Sequence, residues 1–158
     1  RLGLLQRVKI VLITNGSLVH KPEVTSALRR MHEFGGEVWF KLDSATKAGR
    51  TALNDASIPD ERVEANLALC AQACRTRVQT IALALDGAPP SAAEIEAYLA
   101  LLRRASENNV PLVDVLLYGL ERPSHQPEAP RLAKLPLAWL EDLARRIRAL
   151  GIPVRVHA

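Results

Sequence analysis

Dense apolar runs alternate along this chain with segments whose apolar residues recur at helical spacing. Residues 7–14 are rich in β-branched and aliphatic side chains and stop at the turn signal Asn15-Gly16-Ser17, so they predict a strand. Pro22 suits a first helical position, Val24, Leu28 and Met31 follow at i, i+4, i+7, and Gly35-Gly36 closes the helix they predict. Residues 37–43 form the second predicted strand. A short helix over 46–54 then precedes a longer one running from Pro59-Asp60 to about Arg75. Residues 78–85 read as the third strand, ending at Asp86-Gly87. Ser91 and Glu94 make a capping box for a helix that carries Ile95, Leu99 and Leu102 and ends at Asn108-Asn109. Residues 112–118 are the fourth strand. After a proline-rich loop, Leu140, Leu143, Ile147 and Leu150 align on a helix capped by Gly151, and 153–157 reads as a fifth, weaker strand.

The order βαβαβαβαβ implies parallel neighbours joined by right-handed crossovers. Five strands cannot close a barrel alone, so an open doubly wound sheet competes with an incomplete (β/α) barrel. The chemistry of alternate strand positions tips the choice toward the barrel. Val38, Phe40 and Leu42 share one face of the second strand, and Trp39, Lys41 and Asp43 the other. In the third strand Val78, Thr80, Ala82, Ala84 and Asp86 share a face that is mostly small or polar. A helix-covered face rarely carries charges such as Lys41 and Asp43, whereas an inward-curving, ligand-filled face does. In either architecture sites lie at the carboxyl ends of the strands. The expectation is an α/β chain forming a parallel, incomplete TIM-like (β/α) barrel, with about five strands, four main helices and residues 1–158 as a single domain.

Composition narrows the function classes. Nearly half of the 158 residues are apolar and the net charge is only +4, much of the excess lying in helical pairs such as Arg29–Arg30, Arg103–Arg104 and Arg145–Arg146. A nucleic-acid surface would need a concentrated basic patch with aromatics beside it; there is none, so nucleic acid stays open as a partner without support. No window holds the roughly 20 apolar residues of a membrane span, and the start lacks the features of a secretory signal. Two cysteines make no disulfide framework, and a cytoplasmic home is expected. Cys70 and Cys74 continue the spacing of Val63 and Leu67 along a helical stripe, which reads as structural rather than metal-binding; His20, His32, His125 and His157 show no ligand spacing. No metal site is expected within the chain. It opens without Met, on what reads as the tail of an element already under way, and is expected to be a piece of a longer protein.

Two runs carry candidate chemistry. Thr14, Asn15 and the Gly16 backbone sit at a strand's carboxyl end, where they can hydrogen-bond a polar ligand or simply make a turn. Lys41 and Asp43, two apart on one strand face, are a weak surface pair worth about 0–1 kcal/mol if exposed. If they face inward, both need partners, which a polar guest would supply.

The combination of "ITNGSLVHKPEVTSAL", "EVWFKLDSAT" one helix later and "VLLYGLERPSHQPEA" before the final helix and strand resembles the radical-SAM superfamily. More narrowly, it is similar to the iron–sulfur oxidoreductase group related to the wybutosine-biosynthesis radical enzymes of tRNA modification. The resemblance implies that the first strand here is the third of a six-stranded partial barrel and that "KLDSAT" ends the fourth. It implies S-adenosylmethionine as cofactor, touched by Lys41, Asp43 and Ser44, with Thr14, Asn15 and Gly16 on the preceding strand and Tyr118 and Gly119 near adenine. The family's GxIxGxxE pattern is missing from residues 80–87, which leaves only a small-residue strand able to lie against adenine. Arg122, in the loop after Gly119, is the candidate substrate or lid residue.

The CxxxCxxC loop that binds a [4Fe–4S] cluster in this superfamily is absent, as is its GGE strand. Any cluster would belong to the intact protein, together with a reductant and an unidentified substrate, and the piece alone is expected to be inactive. A non-catalytic α/β module binding a nucleotide or a protein partner is the alternative. A first strand with an unpaired outer edge also invites an edge-mediated dimer.

Overall fold

In the computed structural model, residues 8–54, 58–121, 127 and 129–157 are described. The elements run β1 (Val11–Thr14), α1 (Pro22–Glu33), β2 (Glu37–Lys41), α2 (Lys47–Asn54), α3 (Asp60–Ala73), β3 (Arg75–Ile81), β4 (Ala84–Leu85), α4 (Ala92–Glu107), β5 (Leu112–Tyr118), β6 (Leu132–Ala133), α5 (Leu137–Arg148) and β7 (Val154–His157). Five strands form one parallel sheet in the order β1-β2-β3-β5-β7, and β4 pairs antiparallel with β6 beside it.

That order never reverses. Parallel crossovers are right-handed, so successive crossovers in one direction leave their helices on the same side. A doubly wound sheet needs a reversal to cover its second face, and this sheet has none. Side chains confirm the one-sided covering: Leu28 of α1, Leu67 and Cys70 of α3, Leu99 and Leu102 of α4, and Leu140 and Ile147 of α5 join Val38, Phe40, Val78, Val115 and Leu117 in one buried cluster. The architecture is an α/β partial barrel.

Local signals explain the boundaries. Gly35 at φ +75° ends α1, with its N–H donating to the His32 carbonyl and that of Gly36 to Met31. Asn109 (φ +53°) and Gly151 (φ +80°) do the same after α4 and α5. Ser91 caps α4 by accepting from the Glu94 N–H at 3.2 Å. Gly16 (φ +68°) turns the chain after β1 against Phe40, whose Cε2 would lie 2.5 Å from an added Cβ, so the turn needs glycine for both backbone and space.

Three expectations need correction. The third strand starts at Arg75 and ends at Ile81, so Ala82, Ala84 and Asp86 lie beyond it. The face carrying Val78 and Thr80 is the helix-covered one: Thr80 Oγ1 reaches the Leu42 carbonyl at 2.9 Å and the Tyr98 hydroxyl at 2.7 Å, so those residues of this strand are not a surface for adenine. Helix α3 stops at Ala73. Cys74 is its extended C-cap, buried under the Gly36 carbonyl rather than on the helical stripe.

The outer edge of β1 is apolar on both faces, with Val11, Leu12 and Ile13 exposed. No helix among the described residues is long and apolar enough to cross a membrane.

Candidate functional site

The face that no helix covers carries the odd-numbered residues of β2 and β3 and their partners across the sheet. Pairing puts Glu37 beside Arg75, Trp39 beside Arg77, Lys41 beside Gln79, Ile81 beside Tyr118, and Tyr118 beside His157. Its lower half, toward the strands' amino ends, is an ionic ladder. Glu37, buried to 1% exposure, accepts from Lys9 (2.9 Å), the Trp39 indole (2.8 Å) and Arg77 Nε (3.3 Å). Arg77 also donates to Asp114, which takes Arg155 at 2.9 Å as well. A register shift makes this geometry. Two residues of β5, Val113 and Asp114, oppose the single Arg77 between the pairs Thr76–Leu112 and Val78–Val115, and the bulge brings the Asp114 carboxylate to the guanidinium. Burial alone would raise the Glu37 carboxyl. The bonds from Lys9, Trp39 and Arg77 reverse that and hold it at about 2.

At the upper, carboxyl end the face closes on Lys41 and Asp43. The Asp43 side chain is 2% exposed and fully engaged: Oδ1 accepts the Ile81 N–H at 3.0 Å, while Oδ2 accepts the Lys41 ammonium and Asn54 Nδ2 at 3.0 Å. Lys41 also donates to Asn54 Oδ1 at 3.1 Å, which closes a triad. Its side chain is 39% exposed, and burial of the remainder draws its pKa below the ordinary lysine value. Asp43 thus holds the group that can meet a ligand, and Lys41 presents it. Beneath Lys41, its register partner Gln79 keeps Oε1 buried without a hydrogen-bond partner.

The other sequence candidates divide. Asn15 lines a small cavity of about 80 Å³ together with Lys41, Asp43, Arg50 and Asn54, so it joins the triad. Its Oδ1 accepts the Ser17 N–H (3.1 Å), and Thr14 Oγ1 accepts the Gly16 N–H (3.0 Å), so both oxygens serve the turn. Ser44 is buried and turned away from this cavity; it donates to Glu94 Oε2 at 2.6 Å. Tyr118 stands at the far side of the same edge, stacked on His157 with ring centroids 4.5 Å apart, and Gly119 N–H donates to the His157 carbonyl at 2.7 Å. Arg122 lies outside the described residues.

Glu94, read from sequence as the second half of a capping box, instead accepts from both Ser44 and Thr46. It ties the loop after β2 to the start of α4. Its side chain therefore does not return to Ser91, and only half of the capping box forms. Sequence reasoning also passed over Asn54, Arg77 and Asp114. Starting β3 at Val78 hid the alternation of Arg75, Arg77 and Gln79, which was the available signal.

Cys70 and Cys74 are buried free thiols, and burial pushes Cys70 up to about 12. Among the described residues no group of three or more His, Cys, Asp and Glu could hold a metal ion.

No family model matches the chain, and no curated protein matches it. Solved structures do match. A radical SAM methyltransferase from Sphaerobacter thermophilus aligns at TM-score 0.65 and 19% identity over 94% of this chain and 40% of that one. A domain of pyruvate-formate lyase-activating enzyme from Bacteroides vulgatus aligns at TM-score 0.65 and 14% identity over 98% of this chain and 88% of that one. The chain thus spans well under half the length of the first. At these identities the likeness is one of fold.

Proposed function

We propose that this chain is the S-adenosylmethionine-holding part of a radical-SAM enzyme, with the ligand seated at the carboxyl ends of β1, β2 and β5. The observation that carries the reading is the Lys41–Asp43–Asn54 triad, where the end of α2 meets the carboxyl end of the sheet face opposite the main helix layer, in a fold shared with two radical-SAM structures.

The residues present suit that ligand. An ammonium has three donors; Asp43 and Asn54 take two from Lys41, leaving one for a carboxylate or a ribose oxygen. Gln79 Oε1, buried without a donor, would accept from a hydroxyl or an amine. Asn15, Tyr118 and Gly119 border the same edge, and we assign them to its rim. Thr14, Gly16 and Ser44 hold the framework. In the intact enzyme a [4Fe–4S] cluster, bound by residues other than these, would supply the electron for reductive cleavage of S-adenosylmethionine to a 5′-deoxyadenosyl radical. The narrower likeness to the wybutosine-related group rests on the sequence motifs alone.

The test is calorimetric titration of the chain with S-adenosylmethionine. The expected result is binding that Lys41→Met weakens by about tenfold or more, since a hydrogen bond to a charged group contributes about 1.5–3 kcal/mol. Equal affinity of a folded Lys41→Met variant, or no binding at millimolar ligand, would refute the assignment.

A further inference from the structure

On the other side of Asp43 from the triad's small cavity lies a larger cleft of about 400 Å³, between α2 and the segment joining β3 to α4. Its volume falls in the range of small-molecule sites. Ala48, Ala52, Leu53, Ile81, Leu85 and Pro90 are among its apolar lining residues, and the small residues on α2 leave it wide. The site assigned to Lys41 does not use it.

The walls are held apart by independent clamps. Glu94 accepts from Ser44 and Thr46, fixing the start of α2 against α4. Asp43 Oδ1 accepts the Ile81 N–H at 3.0 Å, fixing the end of β2 to the end of β3. The far rim is fixed by pairing of Ala84 and Leu85 with Ala133 and Leu132, and by two hydrogen bonds from Arg131 to Asp86 at 2.7 and 2.8 Å. Gly49 sits where α2 meets the first clamp; a Cβ there would come within 2.8 Å of Glu94 Oε2. A cleft so braced is preformed, and a preformed apolar space binds without a large ordering cost.

Its charge selects the occupant. Two carboxylates line the cleft; Lys41 neutralises Asp43, whereas Glu94 accepts only from hydroxyls and keeps its negative charge without a cationic partner among the described residues. The bonds from Ser44 and Thr46 use one lone pair on each Glu94 oxygen, so that carboxylate keeps acceptor capacity. The geometry points to a second ligand site in this cleft, for a compact organic cation: a flat or aliphatic apolar body with a protonated nitrogen at one end. It rests on the reading of the strands' carboxyl ends as the ligand face, but not on what binds Lys41.

Benzamidinium is the probe and benzoate, of the same size and opposite charge, its control. Both are titrated into the isotope-labelled chain and followed by amide chemical shifts. Benzamidinium should shift the amides of Ala48, Ala52, Leu53 and Ala88 saturably, with benzoate at least tenfold weaker. Ala52→Phe, at an exposed helix position whose new ring fills the cleft, should weaken benzamidinium at least tenfold while the protein stays folded by circular dichroism. Equal binding of the two probes, no binding of either, or unchanged affinity in folded Ala52→Phe would overturn the proposal. Because Lys41 does not itself line the cleft, loss of S-adenosylmethionine binding in Lys41→Met with benzamidinium retained would separate this site from that one.

Discussion

Replacing Glu37 by Gln keeps the side chain's shape and its acceptor for Trp39, but removes one negative charge from the ionic ladder and turns the oxygen that accepts from Lys9 and Arg77 into a donor. In the wild type this carboxylate is buried among Lys9, Arg77 and, at 3.8 Å, Arg75. A carboxyl held at about 2 rather than at the ordinary 4.5 corresponds to roughly 3 kcal/mol at about 1.36 kcal/mol per pKa unit. Breaking a buried pair by removing one partner costs about 3–5 kcal/mol when the other charge is left uncompensated; Arg77 keeps Asp114, so the lower end of that range applies. The two routes agree. Urea unfolding at pH 7, followed by tryptophan fluorescence, should place Glu37→Gln about 3 kcal/mol below the wild type, or on the order of 10 °C lower in Tm. The pH dependence carries the sign. A carboxyl with a depressed folded-state pKa contributes its full stability above about 4.5 and loses it as pH falls toward about 2. The glutamine has no such titration, so the gap between the two proteins should shrink steadily below pH 4.5. A variant within about 0.5 kcal/mol of wild type at pH 7, or a gap that stays constant down to pH 3, would refute the reasoning.

Gly16→Ala combines a left-handed backbone with a Cβ 2.5 Å from Phe40 Cε2. It should cost about 2–4 kcal/mol by denaturant titration, and a loss under 1 kcal/mol would show that the turn relaxes freely. Gly49→Ala drives a Cβ into Ser44 Oγ. It should break the clamp on Glu94, lowering Tm and raising amide exchange over residues 44–50 while the strands stay protected. Cys70, pushed up to about 12, and Cys74, raised by burial, should resist a thiol-specific disulfide reagent at pH 8 in native protein and react within minutes in urea; rapid native labelling of both would contradict their burial.

The helices and strands were legible because their punctuation is local. Gly35, Asn109 and Gly151 terminate helices by backbone conformation, a property that does not depend on what packs nearby. The incomplete barrel was legible from Lys41 and Asp43, whose placement opposite Val38, Phe40 and Leu42 required a face without helices. What stayed hidden depends on distant partners. Asp114 looks like a stray charge inside an apolar strand until the bulge brings it to Arg77, 37 positions earlier. Glu94 looks like a cap residue until the loop after β2 arrives from 50 positions away. The β4–β6 pair, two residues on each side, is too short to leave a periodic trace. The face of β3 was misassigned for a simpler reason: two arginines at the start of a buried strand look like the end of a helix when their counter-ions are unknown.

The strict alternation along β2 and β3 also works against misfolding. In most parallel sheets both faces are greasy, and a strand displaced by one position still finds apolar neighbours. Here the same displacement of β3 would drive Arg75 and Arg77 into the layer occupied by Leu67 and Leu102, and would leave Glu37 and Asp114 with only the solvent-exposed Lys9 and Arg155 as counter-charges. The charges on the open side therefore act as a ruler. Alignment of neighbouring strands is enforced by the penalty for error as much as by the reward for fitting together.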